Sequence, residues 1–126
     1  MANELTVSVS LTYNKPVAVI GATNLAVDLT RATTRQLDIT TGRKVELSQV
    51  IGTTEETLAL VDVANPRYIY IQNLDETNSV QVGTAAGAYS IKLLPGDITL
   101  FPPNAAALYL KADTADCLVS IAAVNA

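Results

Sequence analysis

Apolar and polar residues alternate with a period of two from the start of the chain. Leu5, Val7, Val9, Leu11 and Tyr13 are separated by Thr6, Ser8, Ser10 and Thr12, the pattern of a half-buried strand with one hydroxyl-rich face. Asn14-Lys15-Pro16 breaks the pattern. It resumes through Val17 to Ile20 and through Leu25, Val27 and Leu29, predicting a second strand or a bent pair of strands. Residues 30–44, TRATTRQLDITTGRK, keep only Leu37 and Ile39 as apolar anchors. Threonine favours extended backbone because its branched Cβ restricts χ1, so an extended arm or long loop is expected, closed by a turn at Thr41-Gly42-Arg43-Lys44. Val45, Leu47, Val50 and Ile51 then restore the apolar pattern as far as Gly52.

The densest strand signal lies in residues 67–110. Tyr68-Ile69-Tyr70-Ile71 alternates aromatic and branched residues, residues 73–78 are turn formers, and Val80 and Val82 resume the alternation, which predicts a hairpin. Residues 90–94 and 97–101 flank Pro95-Gly96, a pair that presets one φ and tolerates a positive one, predicting a second hairpin. Thr53-Thr54-Glu55-Glu56 is a weak helix-start signal of hydroxyl followed by acid; residues 57–63 after it alternate or run apolar like a strand until Asn65-Pro66. Pro102-Pro103-Asn104 bends the chain, Leu108-Tyr109-Leu110 with Ala112 forms another strand, and residues 117–124, CLVSIAAV, form the last. Nine or ten short strands, turn signals every eight to twelve residues, and no amphipathic helix predict an all-β fold: an antiparallel β-sandwich, jelly-roll-like, with an extended N-terminal arm. Residues 1–44 are expected to form the arm, packed on or exchanged with neighbours, and residues 45–126 the sandwich core.

Composition narrows the chemistry. The chain has 126 residues and no histidine, which removes Ser-His-Asp and Cys-His nucleophile systems and imidazole-ligated metals. The single cysteine, Cys117, sits in an apolar run and is expected to be a buried thiol. Paired carboxylates could still serve a hydrolase, yet Asp62, Asp75, Glu76, Asp97, Asp113 and Asp116 lie in or beside predicted turns, where Asp bonds the backbone. The oxygens of residues 73–78 could face calcium, but they lack the acid spacing of an EF-hand loop. Residues 83–87 carry two glycines without a following lysine or helix, and so fail as a phosphate loop. No catalytic residue, cofactor or metal is expected.

A formal charge of −4, from 8 basic and 12 acidic residues, argues against nucleic acid, whose affinity comes from clustered cations. Arg31, Arg35, Arg43 and Lys44 form the one basic region, expected to be a solvated face or to pair with a neighbouring chain. No apolar window is long enough to span a bilayer, and the N-terminal residues lack the pattern of a secretory signal, so a cytoplasmic origin is expected. With 49% hydrophobic and only 16% charged residues, some of the surface is expected to be covered by other subunits. Tyr68, Tyr70, Tyr89 and Tyr109 could stack on sugars, although packing is the simpler role for tyrosines in a chain without tryptophan.

The opening MANELTVSVSLTYNK, the threonine-rich arm, VIGTTEETLALVDVANPRYIYIQNLDETNSVQVG, and the LLPGD turn leading into LFPP together resemble a group of small virion structural proteins of tailed bacteriophages. The resemblance covers most of the chain and brings no catalytic residues. It implies a capsid decoration or cement protein, a homotrimer binding the major capsid protein on the capsid surface of the virion, after assembly in the host cytoplasm, with no nucleic-acid or membrane partner. A tail, neck or baseplate subunit is the alternative within the same class; a carbohydrate- or receptor-binding module is the alternative outside it. Leu5, Val7, Val9, Leu11 and Tyr13, with Arg31 and Arg35, are the expected subunit or capsid interface, the strand adding itself to a neighbour's sheet edge or groove.

Overall fold

The computed structural model describes residues 3–15, 26–39, 43–105 and 107–126, and every regular element among them is a β-strand. The chain divides into two compact units, Met1–Thr40 and Thr41–Ala126, four residues before the boundary expected from the pattern.

In the first unit β1 (Asn3–Lys15) pairs antiparallel with β2 (Ala26–Ile39). The expected arm is therefore a two-stranded ribbon. Its threonine-rich half is strand as far as Ile39, because Thr30, Thr33 and Thr34 are paired opposite Thr12, Val9 and Ser8. Over residues 30–39 the reading as arm or loop resolves in favour of extended backbone. The expected elements over residues 16–25 and the turn at Thr41-Gly42 lie outside the described residues.

The second unit contains β3 (Lys44–Ile51), β4 (Glu56–Thr57), β5 (Pro66–Asn73), β6 (Val80–Gly83), β7 (Ile91–Leu93), β8 (Ile98–Phe101), β9 (Tyr109–Ala112) and β10 (Cys117–Asn125). They form two four-stranded antiparallel sheets of order β3-β10-β5-β8 and β4-β9-β6-β7. Alternate residues of each sheet turn to one shared core. Ile69 and Ile71 of β5 and Val119 and Ile121 of β10 meet Val80 and Val82 of β6 and Leu110 of β9, all at most 1% exposed. Each such side chain, fully removed from water, contributes roughly 1.5–3 kcal/mol. Cys117 is buried at the start of β10, and desolvation pushes its thiol above the ordinary range.

Both expected hairpins are corrected. β5 and β6 lie in different sheets, as do β7 and β8. The turns themselves stand where the sequence placed them. Asp97 N donates to Leu94 O at 2.9 Å around Pro95-Gly96, and Gly96 adopts φ 81°. These turns carry the chain across the core instead of back along one sheet. The hairpin that does form joins β6 to β7, with Val80, Gln81 and Val82 opposite Leu93, Lys92 and Ile91. A Cβ on Gly83 would lie 2.0 Å from Ala88 O, so this loop closes only over a glycine.

The expected helix start is also corrected. Residues 53–55 bend into the two-residue β4, and the acids bond outward: Glu56 Oε2 accepts from Gly52 N at 2.5 Å. The strand expected over residues 57–63 ends at Thr57, and the chain then turns with Val63 N donating to Leu60 O at 3.0 Å. Gln49 of β3 takes over the lost ladder bonds, its Nε2 donating to Thr57 O (3.2 Å) and its Oε1 accepting from Ala59 N (2.9 Å).

Asn73, fully buried at the end of β5, joins the two crossing turns. Its Nδ2 donates to Asn78 O (2.9 Å) and Leu93 O (3.1 Å), and its Oδ1 accepts from Asp75 N (3.0 Å). Its backbone N donates to Asp97 O (2.9 Å) and its carbonyl accepts from Gly96 N (3.0 Å). Replacing the amide strands three partners, two of them carbonyls that the side chain had served. Asn73→Leu is expected to lower unfolding free energy by about 3 kcal/mol in urea titration; a loss under about 1 kcal/mol would show that the turns hold without it.

Candidate interaction surface

The ribbon gathers the interface residues expected from the sequence. Cross-strand partners share a face, and the register sets Leu5 opposite Leu37, Val7 opposite Arg35, Val9 opposite Thr33, Leu11 opposite Arg31, and Tyr13 opposite Leu29. Arg31 and Arg35, remote from β1 in sequence, are thus flanked by its apolar residues. Val9 and Leu11 are 52% and 56% exposed, Leu5 and Val7 are half-buried, and Arg31 and Arg35 are exposed.

The opposite face is polar and bonded within itself. Glu4 Oε1 accepts from Thr6 Oγ1 (3.3 Å) and Gln36 Nε2 (3.2 Å), and the Ser8 and Thr34 hydroxyls bond at 3.1 Å. Alternation along β1 and β2 therefore produces a ribbon with one hydroxyl-and-acid face and one aliphatic-and-arginine face. Charge is divided between the units as well. Lys15, Arg31 and Arg35 balance Glu4, Asp28 and Asp38 in residues 1–40, whereas residues 41–126 hold five basic against nine acidic residues and so the whole net −4.

The turn after β5 uses its carboxylate for structure. Asp75 Oδ2 accepts from Thr77 N (2.9 Å) and Asn78 N (2.5 Å), and these amides hold the carboxyl below its usual range. A general acid requires the opposite shift. Among the described residues no group of three or more His, Cys, Asp or Glu side chains could hold a metal. An open depression lies beside this turn, lined by residues 72–76 with Pro95 and Gly96; another is bordered by Asn65, Pro66, Pro103, Asn104, Ala105 and Ala126.

Of the tyrosines considered for sugar stacking, two have engaged hydroxyls. Tyr70 donates to Gln72 Oε1 at 3.0 Å, and Tyr89 to Glu55 Oε1 at 2.5 Å; the same carboxylate oxygen accepts from Gly87 N at 2.6 Å. Glu55 thereby ties the β6–β7 loop to the segment before β4. Sequence reasoning did not single out Ile98, Leu100 and Leu118, exposed apolar residues of β8 and β10. The signal was present in CLVSIAAV, which is apolar at both alternations.

No family model, curated protein or solved structure matches this chain.

The Tyr89–Glu55 bond gives a pH test. The carboxylate raises the Tyr89 hydroxyl from 10.0 to about 12, so its contribution to stability is complete below pH 10 and disappears as pH rises towards about 12. Glu55 is lowered from 4.5, chiefly by Tyr89 and then by Gly87, so its contribution is present above pH 4.5 and declines in acid. The Tm difference between wild type and Tyr89→Phe should be steady from neutrality to pH 10 and shrink above it. A difference that persists to about pH 12 would show that the phenol does not depend on this bond.

Proposed function

We propose that the chain is a non-enzymatic virion structural protein of a tailed phage, most specifically a decoration or cement protein that binds the head shell as a homo-oligomer. In this reading residues 41–126 are a jelly-roll β-sandwich. The strand order supports that topology, since each sheet interleaves early and late strands and every step from β3 to β4, β5 to β6, β7 to β8 and β9 to β10 changes sheet.

The observation that carries the functional reading is the ribbon. An isolated two-stranded hairpin is at best marginally stable in water, yet β1 and β2 pair over 13 and 14 residues, on the order of 40 Å at ordinary strand rise. Exposed Val9 and Leu11 beside Arg31 and Arg35 suit a partner that supplies an apolar groove with carboxylates at its margin. On a capsid the partner is the major capsid protein, and many weak ribbon contacts sum across the lattice. The resemblance of the opening, of residues 52–60 and of residues 70–75 to small phage virion proteins supports the same assignment.

Val9→Asp with Leu11→Asp places charge on that face without touching the core. The variant should keep the wild-type Tm and bind particles of the encoding phage at least about tenfold more weakly, a loss of about 1.4 kcal/mol; undiminished binding would remove the ribbon from the interface. Quantitative mass spectrometry of purified particles should find the chain close to one copy per major capsid protein. A handful of copies per particle would move it to the neck or tail, and absence would end the virion reading.

A further inference from the structure

On the outer side of the β3-β10-β5-β8 sheet the register sets Val50 of β3 opposite Leu118 of β10, and Leu74 extends that row by donating its N–H to Leu118 O at 2.8 Å. Val50 is 55% exposed, and Leu118 and Leu74 are 42% exposed each. At Leu74 the row meets the open depression of about 410 Å³ that Asp75 and Glu76 line together with Gln72 and Pro95. Its polar groups are held in place. The amides of Thr77 and Asn78 fix the Asp75 carboxylate through Oδ2, and the Tyr70 hydroxyl fixes the Gln72 amide by donating to its Oε1 at 3.0 Å. At the other end of the row, two residues past Val50, a carboxylate oxygen of Asp116 lies 3.5 Å from where a Cβ of Gly52 would stand. An apolar row thus runs between carboxylates. The cations of this sheet, Lys44 and Arg67, are remote from it. Lys44 is six residues from Val50 along β3, about 20 Å at ordinary strand rise, and Arg67 lies over the ring of Tyr68, which is in register with Val124 and Lys44 at that far end.

A partner that fits this surface has aliphatic side chains in a line with arginines beside them. The chain carries such a surface itself. On the ribbon, Val9 and Leu11 are exposed and flanked by Arg35 and Arg31, while Glu4 and Asp38 are set opposite each other on the other face. We propose that the aliphatic-and-arginine face of one copy's ribbon lies along the Val50–Leu118–Leu74 row of a second copy, with an arginine in the depression. Charge selects this occupant. Residues 41–126 hold the whole net −4 and residues 1–40 none, so two ribbons stacked on these faces would gather arginines without acids, whereas ribbon on sheet pairs both sets. A guanidinium suits the depression because its planar fork bonds carboxylates through several N–H groups at once. The contact is heterologous: each copy gives a ribbon and offers a sheet, so copies join head to tail. The inference needs only this chain and does not rest on the virion reading. That reading turns the same ribbon face to the shell, so a neighbouring copy and the particle compete for it.

The test is sedimentation velocity on the full chain across the micromolar range. Wild type should sediment above the monomer mass. Val9→Asp with Leu11→Asp, which spoils the ribbon, and Val50→Asp or Leu118→Asp, which spoils the row, should each give a monomer with the wild-type circular dichroism spectrum. An equimolar mixture of the ribbon variant and a row variant should recover a species of two chains, because one intact ribbon and one intact row remain; an isologous contact gives no such rescue. Arg31→Glu with Arg35→Glu should weaken association at least about tenfold, and adding Glu76→Lys with Asp116→Lys to the same chain should restore it, while Lys92→Glu on the opposite sheet changes nothing. A row variant keeps its ribbon and should still bind particles of the encoding phage, so self-association and particle binding are read separately. A wild-type monomer throughout the range, row variants that assemble like wild type, a mixture that stays monomeric, or a fourfold reversal that fails to restore association would each overturn the proposal.

Discussion

The buried amide of Asn73 is the point on which the second unit depends. A chain that passes from sheet to sheet must turn over the end of the core, and there its backbone groups leave one ladder before they join another. Left unpaired inside the protein, each such group costs on the order of 1–3 kcal/mol. One asparagine at the end of β5 serves both turns, with its amide nitrogen on the carbonyls of Asn78 and Leu93 and its oxygen on Asp75 N. Gln49 solves a smaller version of the same problem where β4 stops at Thr57. Side-chain amides fit this task because each offers both a donor and an acceptor at the end of a short stem.

Strand positions in the second unit were legible because their signals are local. Alternation located β3, β5, β6 and β10, and Pro95-Gly96 marked the 94–97 turn that the structure contains. Pairing was not legible. Tyr68-Ile69-Tyr70-Ile71 and Val80-Gln81-Val82 read as a hairpin because turn chemistry reports where a chain reverses and not which sheet it rejoins. β5 instead takes β10 and β8 as neighbours, strands distant in sequence. The helix signal at Thr53-Thr54-Glu55-Glu56 misled for a related reason. Glu55 and Glu56 resemble capping acids, but their carboxylates bond Gly87, Tyr89 and Gly52 instead of a first helical turn.

The candidate interface was readable in part. The apolar set of β1 follows directly from its period, but the neighbourhood of Arg31 and Arg35 came only with the register that places them opposite Leu11 and Val7. The outer face of the β3-β10-β5-β8 sheet was harder to see, because a strand apolar on both sides reads as buried on both sides. In the structure only one side of β10 is in the core, with Cys117, Val119, Ile121 and Ala123 inward, while Leu118 on the other side is 42% exposed.

The position of β10 sets an order of events during synthesis. It follows β3, β5 and β8 in sequence yet stands inside their sheet, bonded to β3 on one side and β5 on the other. Until it leaves the ribosome, β3 has no neighbour and the apolar sides of β5 and β6 have no complete core to cover them. β1 and β2 are consecutive strands, so their pairing can begin while the rest is still being translated, although a two-stranded ribbon alone is only marginally stable. A nascent chain therefore carries an unfinished sandwich, which leaves a period in which aliphatic strands are available to chaperones or to one another.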